Sequence, residues 1–274
     1  MIIIEKKYEE LNITDAFMFS KIMRDEKICK PVLEEILQIK IKKIEYLDYE
    51  ETLKITGRSK GIRMDIYVED EEHTVYNLEM QSENTGNIPK RSRYYQSVID
   101  LNLLEKGEDY DTLKTSIVIF ICTFDLFGKG ECVYTFENQC QEVSELRLKD
   151  ETKKIFLNTK GKHGNISSTL RDLLSYMDGK KPKEVLAKRI DEKVVEARDN
   201  VRWRREYMSL YVELRDKYKE GYDRGEMEGY DRGTKEMNEL ILKLAEQGRN
   251  QDIVRIAEDK EYREKLMKEL EILK

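Results

Sequence analysis

Two carboxylates stand at the centres of apolar stretches, where a charge is costly unless something compensates it. Asp65 lies between Met64 and Ile66, and Glu79 lies between Leu78 and Met80. Both belong to a pair of alternating segments, residues 61–68 and 74–82, joined by Glu69-Asp70-Glu71-Glu72, an acidic turn suited to solvent. This pattern predicts a hairpin of two half-buried strands. Alternation puts Asp65, Tyr67 and Glu69 on one face of the first strand. In the second strand it puts Asn77, Glu79 and Gln81 on one face and Tyr76, Leu78 and Met80 on the other. Neighbouring strands lie about 4.8 Å apart, so an acid from each can converge on one cation. A hard divalent ion such as Mg²⁺ takes oxygen ligands of this kind. Held there, it would lower the pKa of a bound water and stabilise negative charge on a phosphodiester. Gln81 shares a face with Glu79 and is spaced to orient the attacking water or the scissile phosphate. A surface hairpin with solvated acids fits the same residues, because acids are mostly exposed.

A second group follows the hairpin. The loop 82–89 is rich in turn formers, and a helix of about 89–106 is expected after it, with Pro89 in the first turn. Arg91 and Tyr95 are four residues apart and share a face of that helix. Arg91 can hold a phosphate bidentately, and Tyr95 can donate a hydrogen bond or stack. Lys90 and Arg93 add positive charge. A solvated helix with tyrosine packed on the core is the alternative. Near the start of the chain, Asp15 falls in the first turn of a helix over 14–24 capped by Thr14 or Asn12, where an acid also serves the helix dipole.

These groups need a scaffold. After the first helix, Pro31 is expected near the start of a second, over 31–38, and residues 40–56 alternate as a strand ending in the turn Gly57–Gly61. Thr115–Thr123 holds the run Ile117-Val118-Ile119-Phe120-Ile121, a central strand covered on both faces. A loop over 124–130 and short strands at 132–136 and 154–157 follow. This order predicts an α/β or α+β sandwich with a mixed sheet.

The character changes near residue 166. Helices at 166–178 and 183–219 are expected, separated by Gly179-Lys180-Lys181-Pro182. The repeat Gly-Tyr-Asp-Arg-Gly at 221–225 and 229–233 spaces glycines every four residues, each costing a helix about 1 kcal/mol, which predicts a weak helix or flexible connector. Three short helices, 234–247, 250–257 and 260–273, are expected to close the chain. The tail reads as a coiled-coil or DNA-facing arm that pairs subunits, or as a solvated extension.

Composition narrows the classes. Charged residues make up 39% of 274, the net charge is -6 and the mean hydropathy is -0.72. That balance does not advertise nucleic-acid binding, yet a local basic strip could serve within an acidic chain. Four cysteines and two histidines, scattered, argue against a zinc site and for reduced thiols. The apolar start, Met1–Ile4, is too short for a signal peptide, and no run reaches membrane-spanning length. A soluble, cytoplasmic protein is expected.

Arg63-Met64-Asp65, the hairpin, and Glu79-Met80-Gln81 together resemble the bipartite active-site motif of the PD-(D/E)XK nuclease superfamily. Thr14-Asp15-Ala16-Phe17-Met18-Phe19, Asn77-Leu78, Lys90-Arg91-Ser92-Arg93-Tyr94-Tyr95, Ile121-Cys122-Thr123-Phe124-Asp125 and the glycine repeat extend the likeness. Over about residues 10–235 the chain is similar to the Rpn family of recombination-promoting nucleases, also labelled transposases. The resemblance implies a restriction-endonuclease-like α-β-β-β-α-β core over residues 1–165, with 166–274 as a charged helical extension. It implies a DNA endonuclease dependent on Mg or Mn, with Asp65, Glu79 and the main-chain carbonyl of Met80 as metal ligands. It implies a further acid, Asp15, from the first helix, and Arg91 and Tyr95 near the site. Gln81 stands where the superfamily has lysine, which removes a positive charge. Glutamine nevertheless fits this family's version of the motif. Double-strand cutting would need a homodimer. A degenerate DNA- or protein-binding module of the same fold is the alternative, and a structural oligomerisation protein built on the tail is another.

Overall fold

The computed structural model describes residues 6–47 and 64–272. They divide into two compact units, 6–207 and 208–272. In chain order, the first unit contains α1 (Ala16–Met23), α2 (Glu26–Leu37), β1 (Ile44–Tyr46), β2 (Ile66–Asp70), β3 (Val75–Gln81), α3 (Ile88–Leu103) and β4 (Ser116–Cys122). It continues with β5 (Val133–Phe136), β6 (Thr152–Asn158), α4 (Ser168–Met177) and α5 (Val185–Arg198). The expected α-β-β-β-α-β order is present, with α1 and α2 dividing its first helical part. Among the described residues the sheet has the order β1-β2-β3-β4-β6-β5. β3, β4 and β6 run parallel, and β1, β2 and β5 join antiparallel, so the sheet is mixed as expected.

The apolar run at 117–121 explains the centre. Every residue of β4 is buried, as a parallel strand covered on both faces requires. Val118, Phe120 and Cys122 face α3, where Tyr95, Val98 and Ile99 pack on them with Phe156 of β6. Ile117, Ile119 and Ile121 point the other way and are equally buried, so the second face is covered too. α1 packs against β3, and α5 against α1 and α2.

Several boundaries differ from expectation, each for a local reason. The second helix begins at Glu26, not near Pro31, because the Asp25 carboxylate caps it by accepting from the Lys27 N–H (2.9 Å). Pro31 therefore lies inside α2. A proline there cannot donate to the carbonyl four residues back. That carbonyl, on Lys27, accepts instead from Arg189 of α5 (3.4 Å). The helix expected over 183–219 breaks at Asp199-Asn200, and the Asn200 side chain caps α6 (Val201–Glu246) by accepting from the Trp203 N–H (3.0 Å). Of the strand expected at 40–56, Ile44–Tyr46 is observed. Residues 48–56, the turn after them, and 61–63 of the hairpin lie outside the described residues. In the hairpin turn, β2 runs on to Asp70, whose carboxylate accepts from the Glu72 and Thr74 N–H groups (both 2.9 Å) and from the Tyr76 hydroxyl (2.5 Å).

α6 begins in the first unit and its remainder belongs to the second. It carries the glycine repeat as exposed helix and runs past 234, where a separate helix was expected. α7 (Asn250–Glu258) and α8 (Lys260–Glu269) match the last two expected helices, and Leu240, Leu244, Ile256, Leu266 and Met267 form this unit's core. The four cysteines are free. No helix among the described residues is long and apolar enough to cross a membrane.

The loop after β6 packs tightly on the start of β5. A Cβ on Gly161 would lie 2.5 Å from the Cys132 Cα. Gly161→Ala should therefore cost about 1–3 kcal/mol, as overpacking against backbone does. A denaturant midpoint unchanged from wild type would refute that close approach.

Candidate active site

β3 outruns its neighbour. The β2–β3 ladder ends at Ile66 opposite Leu78, whereas the β3–β4 ladder continues to Gln81 opposite Cys122. The Val75 N–H donates to the Thr115 carbonyl and the Thr123 N–H to the Gln81 carbonyl, so odd-numbered residues of β3 direct their main chain to β4. Met80 consequently turns its N–H and C=O to the β2 side, past the end of the ladder. Asp65, in the bend before β2, takes the place of the missing strand. Its Oδ2 accepts from the Met80 N–H (3.0 Å), and its own N–H donates to Glu79 Oε1 (3.0 Å).

Glu79 is 3% exposed. Its Oε1 also accepts from Asn77 Nδ2 (2.9 Å), which donates in addition to the Ile66 carbonyl (3.3 Å). Asn77 Oδ1 is buried without a partner. Asn77 was legible only as a neighbour of Glu79 on the same strand face, and nothing in the alternation marked it as a hydrogen-bond donor to the acid.

α3 supplies the positive charge. Its N-terminal turn starts at Ile88-Pro89, which sets Arg91 one turn in. Arg91 donates to Gln81 Oε1 (2.6 Å) and to the Tyr95 hydroxyl (3.2 Å), and lies 3.7 Å from Glu79 Oε2. Its guanidinium carbon is 5.5 Å from the Tyr95 ring centroid and 5.4 Å from that of Phe120. The Gln81 amide nitrogen donates to the Glu83 carbonyl (2.6 Å), which fixes the orientation of the side chain. The fold thus gathers Asp65, Glu79, Gln81, Arg91 and Tyr95. Asp15 sits at the N-cap of α1, where it accepts from the Asn12 N–H (2.8 Å) and pairs with Lys6 (2.8 Å).

Burial, and next the nearby Asp65 carboxylate, push the Glu79 carboxyl up to about 8, against the opposing pull of Asn77, the Asp65 N–H and Arg91. Two acids side by side in a low-dielectric notch are suited to a cation. The two carboxylates and the Met80 carbonyl are hard oxygen donors directed to the same side of β3, which fits Mg²⁺ or Mn²⁺. Among the described residues, no group of three or more His, Cys, Asp or Glu could hold a metal. Main-chain oxygen and waters would complete the shell, as Mg²⁺ commonly allows.

The family model described as PD-(D/E)XK nuclease family transposase matches residues 16–220. The chain belongs to that family. Comparison with curated proteins and with solved structures gave no match. The matched span contains the whole hairpin and α3 and begins one residue after Asp15. Membership makes the protein a nuclease related to mobile elements, of a superfamily that hydrolyses phosphodiesters and generally uses divalent metal ions.

An acid whose pKa is raised by folding stabilises the fold fully below the ordinary carboxylate range and loses that contribution as pH rises toward its folded value. Glu79→Gln removes the loss. In metal-free buffer its melting temperature should exceed that of wild type at pH 8 by roughly 2–4 °C, with little difference at pH 5. An offset of equal size at both pH values would contradict the burial of an ionisable Glu79.

Proposed function

We propose that this nuclease is a metal-dependent DNA endonuclease, with Asp65 and Glu79 as its metal ligands. The observation that carries the reading is the half-buried Asp65 beside the buried Glu79, interlocked through the Met80 and Asp65 N–H groups and faced by Arg91. The Met80 carbonyl is the third protein ligand, and Asp15 is a further candidate from the first helix. Mg²⁺ or Mn²⁺ bound there would acidify a water and neutralise charge on the phosphodiester. The chain's own residues do the positioning. Asp65 N–H and Asn77 hold one oxygen of Glu79, which leaves Oε2 facing the site. Gln81, fixed through Glu83 and Arg91, orients the attacking water or the phosphate. Arg91 binds the phosphate and provides the charge that lysine provides elsewhere in the superfamily. Tyr95 holds Arg91 in place.

The biological role that follows is promotion of recombination or mobile-element activity, in the cytoplasm. A homodimer would supply the second site that a double-strand break requires. The nuclease-like part is taken as residues 1–165, with 166–274 as the extension. A second reading, a DNA- or protein-binding module that has lost cleavage, is favoured by the absent lysine at Gln81.

A plasmid-nicking assay separates the two. Wild type should nick supercoiled DNA with Mg²⁺ or Mn²⁺ and stop in EDTA, while Asp65→Ala and Glu79→Ala should each lose at least about 100-fold. Equal nicking by all three proteins would expose a contaminant. DNA binding without nicking would favour the degenerate module. Arg91→Ala should lose about 10²–10³-fold, the usual worth of a transition-state charge partner. Adding Gln81→Lys to Arg91→Ala should restore part of the loss; no restoration would remove the charge assignment.

A further inference from the structure

β3, β4 and β6 are parallel and end in register, with Gln81, Cys122 and Asn158 abreast. The loops that follow them therefore open at the same edge of the sheet as the candidate site. Two of these loops, 123–132 and 159–167, are joined by a short bridge, in which the Cys132 N–H donates to the His163 carbonyl (3.0 Å). The Gly130 carbonyl accepts from the Lys162 N–H (2.8 Å) and the His163 N–H (3.0 Å). Gly130 has φ +74, and a Cβ there would meet the His163 ring at 2.9 Å. Both backbone and space thus fix the join.

The first loop is held rigidly. Asp125 turns its carboxylate inward, accepting from the Phe127, Gly128 and Gly130 N–H groups and from the Tyr134 hydroxyl. Phe127 packs edge-on against Phe156 at 5.3 Å, and Phe156 stacks on Phe120 at 5.8 Å. Phe120 is also under Arg91. One row of rings therefore ties this loop to the site.

The join presents cations to solvent. Lys129 and Lys162 are exposed on the two joined loops, and neither is ion-paired among the described residues. Of the nearby acids, Asp125 is consumed within its loop, while Glu131, beside Gly164, has no ion pair among the described residues. Asp178 is paired with Lys160. Glu83 is exposed beside Gln81. The two joined loops carry Lys129, Lys160 and Lys162 against Asp125 and Glu131, a net +1 in a chain of net charge -6.

We infer that the Lys129–Lys162 platform holds the phosphate backbone of the DNA strand beyond the scissile position. Glu79, Phe120 and Phe156 lie abreast on consecutive strands, and the two loops leave the sheet at the same edge as the site, on the β6 side of it. Lys90 and Arg93, exposed on α3, would contact the strand nearer the site. The inference rests on the nuclease reading for its substrate.

The test is fluorescence anisotropy with a labelled 20-base-pair duplex in EDTA, across a salt series, alongside nicking in Mg²⁺. Lys129→Ala/Lys162→Ala should weaken binding about tenfold and reduce the slope of log affinity against log salt by about 2, one unit per lost phosphate contact. Lys106→Ala, past the far end of α3, should leave both unchanged. Affinity and slope equal to wild type in the double variant overturn the platform while leaving the nuclease reading intact. Normal binding by a wild type that never nicks sinks the cleavage reading and leaves the platform supported by the variants. A wild type that binds no duplex overturns the platform, and one that also fails to nick in Mg²⁺ overturns both.

Discussion

Glu79 keeps a carboxylate inside the sheet, beside that of Asp65, in surroundings that favour its neutral form. Burying an acid is costly unless hydrogen bonds and opposite charge offset it. Much of the local architecture meets that need. β2 stops short, so Met80 has a main-chain N–H to give to Asp65. Asn77 and the Asp65 N–H give Oε1 two donors. Arg91 approaches Oε2 from α3, over a floor of Phe120. Remove the short end of β2 and Met80 would pair with a strand, Asp65 would lose its anchor, and the two acids would have no shared opening.

This dependence explains which features were legible in the sequence. Alternation revealed the hairpin and its two acids, although β3 is buried throughout, not half-buried, and Asp65 falls in the bend before β2; the apolar run at 117–121 gave the central strand, a local pattern that burial imposes directly. The pair Arg91 and Tyr95 followed from helical spacing. The interlock between Asp65 and Met80 did not, because it depends on where one ladder ends relative to another, a register that two short strands do not reveal. Asn77 was on the correct face but carried no periodic mark. The contact from Arg91 to Gln81 joins two elements by packing, which spacing along one helix cannot disclose.

The missed boundaries have the same origin. Pro31 reads locally as a helix start, yet α2 continues through it because Arg189, far along the chain, reaches the carbonyl that proline leaves open. Asp25 and Asn200, by contrast, were ordinary cap residues whose local signal the longer apolar pattern concealed. The glycine repeat forms helix despite its propensity, which shows how weak a prior single-residue preferences are.

The exchange of lysine for glutamine at position 81 has a structural counterpart in Arg91. A lysine on the strand and an arginine on the following helix bring a positive charge to much the same region, but they are not chemically equal. A lysine ammonium can lose a proton when desolvated. A guanidinium keeps its charge at any working pH and offers several donors in a fixed plane. Arg91 uses that plane in the structure, reaching Gln81, Tyr95 and the neighbourhood of Glu79 together. It is therefore suited to hold a phosphate and balance developing charge, and unsuited to take a proton from water. In the proposed chemistry that second task falls to the acids and whatever they bind, with Gln81 limited to orientation. The proposed chemistry thus divides one lysine's duties between a neutral amide on β3 and a permanent cation on α3.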